Sequence, residues 1–111
     1  MTYVNAFSFK SDLTLPEILA VVRGLGTWSW IERDNDRWGE YISTNTLPSP
    51  DRGIVKIFLE PEHAAINAIN IVLESDDPAA QLRFDAVLDI IFKQLLPAIG
   101  ARELVETDTY E

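Results

Sequence analysis

Cysteine is absent from this chain of 111 residues, and histidine and methionine occur once each. No disulfide framework, thiol nucleophile or zinc–thiolate site can be built without cysteine. A single histidine excludes a three-histidine zinc site. Basic residues are also scarce: nine Lys and Arg stand against eighteen Asp and Glu, for a net charge of -9. A chain with a pI near 4.4 repels phosphate backbones and anionic membrane surfaces, which argues against nucleic-acid and membrane partners. Five glycines form no phosphate-cradling loop. The apolar run Ile18 to Val22 in the first helical segment is far too short to span a bilayer. The N-terminal residues carry neither the basic nor the apolar region of a signal peptide, so the expected location is cytoplasmic.

What remains is a composition of ordinary globular type, 47% apolar and 24% charged, long enough for one domain of 1–111 with its own core. The charge is uneven. Residues 1–60 hold six basic and eight acidic groups, residues 61–111 three and ten. Charge of one sign speeds capture of a partner of the other, so the balance allows a basic protein partner, the alternative being that it serves solubility alone.

Local patterns give the elements. Residues 3–9, rich in aromatic and β-branched types, predict a strand. Thr14 and Glu17 form a capping box, with Leu13 and Ile18 as its hydrophobic staple. Leu15, Ile18, Leu19 and Val22 then follow at helical spacing, with Gly24 or Gly26 as the left-handed stop. Two strands are expected at 27–33 and 37–44, joined near Asp34-Asn35-Asp36. Their register is open: a three-residue loop pairs Arg33 with Arg37, a two-residue loop pairs Asp34 with Arg37 and brings Tyr41 to Trp30. Residues 45–53 form a loop. A strand runs from Ile54 to Glu60, and another resumes around Ala68 to Glu74. The rival for the latter is a helix opening at Pro61, set aside because β-branched residues dominate Ile-Asn-Ile-Val-Leu.

Asp77 as N-cap and Pro78 at the first position open a long second helix. Phe84, Val87, Leu88, Ile91 and Leu95 form its apolar stripe, widened by Leu82, Ile90, Phe92 and Leu96. Pro97 and Gly100 end it, and Leu104-Val105 adds a short last strand. The expected fold is therefore α+β: one antiparallel sheet with two helices on one face, in the order β-α-β-β-β-β-α-β. In element order alone this resembles the TATA-binding-protein-like domains. Ile54, Lys56 and Phe58 oppose Val55, Ile57 and Leu59, so both faces of that strand carry apolar residues. Covering the second face by a homodimer packed through the sheet follows as an expectation.

One segment stands out. Trp28 to Tyr41 holds all three tryptophans with charges interleaved, the composition of binding hot spots. The candidate partner- or ligand-binding residues are Trp28, Trp30, Glu32, Arg33, Arg37, Trp38, Glu40, Tyr41 and Phe58. Asp34, Asp36 and Gly39 are arranged superficially like a calcium loop, but Trp38 and the missing later glutamate spoil it. Glu32 and Glu40 near the indoles would be the carboxylates of an acid–base pair, yet no nucleophile or histidine accompanies them. The reading is a non-enzymatic interaction domain without metal or cofactor, of which an inhibitor or immunity-type protein against a basic partner is one form. The alternative is a small-molecule pocket between sheet and long helix, lined by Trp28, Trp30, Trp38 and Phe58.

Overall fold

The computed structural model describes residues 2–35, 39–44, 52–60 and 63–107. Six strands form one antiparallel sheet in the order β2-β3-β4-β5-β1-β6. They are β1 Thr2–Lys10, β2 Trp30–Asn35, β3 Gly39–Thr44, β4 Arg52–Glu60, β5 His63–Glu74 and β6 Arg102–Glu106. Helix α1 spans Leu15–Leu25 and α2 spans Ala80–Ile90, continued by a π-helical turn Ile91–Leu95 and a short α3, Leu96–Ala98. This is the expected α+β class and element order.

The capping box forms as read. The Thr14 hydroxyl accepts the Glu17 N–H, and the Glu17 carboxylate accepts the Thr14 N–H at 2.9 Å. That backbone bond holds the Glu17 pKa below its ordinary value. Gly26, not Gly24, is the stop, at φ 70°, a conformation that costs glycine nothing. The second helix begins later than expected. The Asp77 carboxylate accepts the Ala79 N–H at 2.9 Å, and the Asp77 carbonyl accepts the Ala80 N–H at 3.0 Å. The first turn is thus wound tightly, three residues per bond, before α2 settles at Ala80.

Proline explains the π turn. Pro97 has no N–H for the Lys93 carbonyl and its ring would crowd that group. The helix widens just before it, and Leu96 N–H reaches back five residues to Ile91. Gly100, at φ 64°, closes the end: its N–H bonds Pro97, and that of Ala101 bonds Leu96, a Schellman pair. The buried stripe is narrower than expected. Phe84, Ile91, Leu95 and Leu96 are buried, whereas Leu82 is 73% exposed and Phe92 39%.

Both helices cover one face of the sheet. Ile18, Leu19 and Val22 of α1 meet Phe84, Ile91 and Leu95 over a floor of Phe7, Phe9, Trp30, Ile42, Val55, Ile57, Ile69, Ile71 and Leu73. On the other face Tyr41, Phe58 and Ala68 form a second, smaller buried cluster. Of the apolar residues of β4, Val55 and Ile57 are buried on the helix face and Phe58 on the other, while Leu59 is 40% exposed. Residues 61–74 contain no helix in their described part: β5 starts at His63 and runs twelve residues. Among the described residues no helix is long and apolar enough to cross a membrane.

Candidate functional site

The β2–β3 ladder differs from both registers expected from sequence. Trp30 pairs with Thr44, Glu32 with Ile42, Arg33 with Tyr41, Asp34 with Glu40, and Asn35 with Gly39. Gly39 sits at φ 73°, which favours glycine and fixes where the strand can resume. Neither Arg33 nor Asp34 therefore has Arg37 as its ladder partner, and Tyr41 does not meet Trp30. Arg37 and Trp38 lie outside the described residues, as does most of the 45–53 loop.

This register sorts the hairpin by face. Trp30, Glu32 and Asp34 of β2, with Glu40 and Ile42 of β3, look toward the helices. Ile31, Arg33, Tyr41 and Ser43 look away from them. On the helix side, the first turns of α1 lie beside the hairpin and leave a cleft of about 270 Å³. Leu15, Pro16, Leu19 and Ile42 supply its apolar lining and Glu32, Asp34 and Glu40 its acidic lining, and Arg33 and Tyr41 also border it. Asp34 stands directly opposite Glu40, and Glu32 is one same-face step along. Like charges paired across a ladder destabilise it. Among the described residues no cation lies within ion-pair distance of these three carboxylates.

Sequence had paired Glu32 with Glu40, and the fold does bring them to one face. It missed Asp34, Leu15, Pro16, Leu19 and Ile42. The alternation of Glu32 and Asp34 was visible, but which side of Glu40 they joined depended on the register. The three groups are side-chain exposed and sit on an apolar floor, so the cleft suits a long cation whose stem is apolar and whose head is charged.

The tryptophans serve otherwise. Trp30 is 4% exposed and belongs to the sheet–helix core; Trp28 packs partly against it with ring centroids 6.3 Å apart. Arg23 near the end of α1 donates to the Trp30 carbonyl through Nε at 3.2 Å and Nη2 at 3.1 Å. Thr27 donates to Gln94 of the π turn at 3.1 Å. A shallow cleft of about 400 Å³ follows the Arg23–Trp30 segment. Phe58 lies on the opposite face of the sheet, fully buried beside Tyr41 and Ala68. One pocket therefore cannot be lined by Trp28, Trp30 and Phe58 together, because the sheet stands between them. Nor does Phe58 reach a surface where a partner would touch it. Tyr41 is nearly buried, with the Lys56 ammonium 5.7 Å from its ring centroid, a cation–π distance.

No group of three or more metal-ligating side chains occurs among the described residues. No protein-family model matches the chain, and no curated protein is similar to it.

Proposed function

We propose that this protein is a small acidic binding domain, without catalytic function, that captures a basic protein partner through the cleft between α1 and the β2–β3 hairpin. One observation carries the reading: Glu32, Asp34 and Glu40 share one face over Leu15, Pro16, Leu19 and Ile42, outnumber the Arg33 that also borders the cleft, and have no ion pair with a described cation. Folding bears the cost of setting Asp34 against Glu40. A bound guanidinium or ammonium repays it, while the aliphatic stem covers the apolar lining. An arginine fits best, since its planar fork bonds two carboxylates at once. The net charge of -9 acts at longer range by raising the on-rate.

The probe is an arginine-rich peptide and its citrulline counterpart, which keeps shape and loses charge. Wild type binds the arginine peptide in a salt-dependent manner and the citrulline peptide at least about tenfold more weakly, a difference of ~1.4 kcal/mol. Glu32→Gln/Asp34→Asn/Glu40→Gln loses the preference. A control with the same charge change elsewhere, Glu74→Gln/Asp76→Asn/Asp85→Asn, keeps it. Equal losses in the two triple variants would reduce the effect to bulk charge and sink the reading.

A further inference from the structure

The acidic cleft lies beside the first turns of α1, and a second cleft of opposite character lies at the helix's other end. Arg23, Gly26, Thr27, Trp28, Ser29 and Trp30 line it. Its volume of about 400 Å³ falls within the roughly 300–1,000 Å³ of small-ligand sites. Gly26 stands at φ 70°, and a Cβ there would meet nothing within 4 Å, so the space beside it is open. Thr27 ties this loop to the π turn through Gln94.

Arg23 is the cation of this lining, and its guanidinium is already oriented. Nε and Nη2 both donate to one acceptor, the Trp30 carbonyl, at 3.2 and 3.1 Å. That contact uses the side edge of the group and fixes its plane. The end edge, one N–H from each of Nη1 and Nη2, is left over. It is a parallel pair of donors, which a carboxylate answers with both oxygens. The chain has eighteen Asp and Glu, and Arg83 and Arg102 each pair with an aspartate. Arg23 has no ion pair among the described residues.

Trp30 brings a second unanswered donor. Its indole Nε1–H is buried and bonds no acceptor among the described residues, a costly state for a polar group. Trp28 is half-buried and tilted 53° against Trp30, with ring centroids 6.3 Å apart. It gives the cleft an indole surface against which a flat apolar group can pack.

We infer that this cleft binds a small aromatic carboxylate, its carboxylate across the end edge of Arg23 and its ring against Trp28. The ligand carries a single negative charge. The carbonyl end of α1 is partly negative and the chain has a net charge of -9, and both oppose a dianion such as phosphate. The site shares no lining residue with the acidic cleft and does not rest on it.

The test is a titration of the ¹⁵N-labelled full chain with phenylacetate, read from the indole N–H resonances and the Arg23 Nε–H resonance. Phenylacetamide, of the same shape without the charge, and inorganic phosphate are the comparison probes. Phenylacetate shifts the Trp28, Trp30 and Arg23 resonances saturably, and the other two bind at least about tenfold more weakly. Ser29 is exposed, so Ser29→Asp sets a competing carboxylate in the cleft without touching the core. It weakens binding at least about tenfold, whereas Ser29→Asn stays within about threefold of wild type. Arg23→Lys keeps the charge, loses the fork and weakens binding as well, with circular dichroism confirming that each variant is folded. No shift at roughly 20 mM phenylacetate overturns the inference. So does phenylacetamide or phosphate binding as tightly as phenylacetate, or an equal loss in Ser29→Asp and Ser29→Asn.

Discussion

The two ends of the sheet carry acid in opposite ways. At the β2–β3 end, Asp34 faces Glu40 with Glu32 beside them, and no described cation is within ion-pair distance of the three. At the β6 end, Glu103 is held by Lys10 and Arg102 by Asp12. A net charge of -9 describes neither. What distinguishes them is whether folding has matched each charge, and like charges set across a ladder without a partner repel.

The comparison depends on the sheet's centre holding both ends in one platform. Phe58 is fully buried there, on the face away from the helices. Truncating it, Phe58→Ala, is expected to cost about 3–5 kcal/mol, read by urea denaturation. A cost below about 1 kcal/mol would mean that the second cluster is dispensable. Next in size is the helix that forms one wall of the acidic cleft. Thr14→Ala removes the cap of α1 and is expected to cost ~1 kcal/mol. The Leu15 and Leu19 wall loosens with it, so peptide binding weakens as well as stability. Unaltered binding at lowered stability would separate α1 from the site.

The sharpest comparison changes one charge at each end. Asp34→Thr removes the cross-strand repulsion and supplies a β-branched residue, and is expected to stabilise by about 0.2–1 kcal/mol. Lys10→Thr at the other end leaves Glu103 unmatched and lowers the melting temperature slightly. If both substitutions moved stability in the same direction, the contrast between the two ends would be wrong.

The smallest effect is pH dependence. Glu17 and Glu103 both have pKa values below the ordinary 4.5, the first through the Thr14 backbone bond and the second through Lys10. A lowered folded pKa adds stability that is complete above 4.5 and lost as pH falls through the folded value. The advantage of wild type over Glu17→Gln is therefore expected to be full at neutral pH and to shrink below 4.5. A difference that stayed constant down to pH 3 would refute the assignment.

Local signals determined the parts of this fold whose partners lie close in sequence. Thr14 and Glu17 stand three residues apart, so the start of α1 could be read without knowing anything else. Gly100 after Pro97 marked the end of the second helix for the same reason, and β-branched residues marked β5 against the rival helix. The register of the hairpin was not legible, because loop length there was decided by Gly39 at positive φ and by the packing of Trp30 and Ile42 under α1. That one register set Asp34 against Glu40 and paired Arg33 with Tyr41. The fate of Trp30 and Phe58 followed too: both are large and apolar in sequence, and only the sheet placed them on opposite faces and buried them. Side-chain type and spacing set which elements form, since those interactions span a few residues. Which charges meet, and which are left without a partner, is a matter of long-range pairing that only the assembled sheet decides.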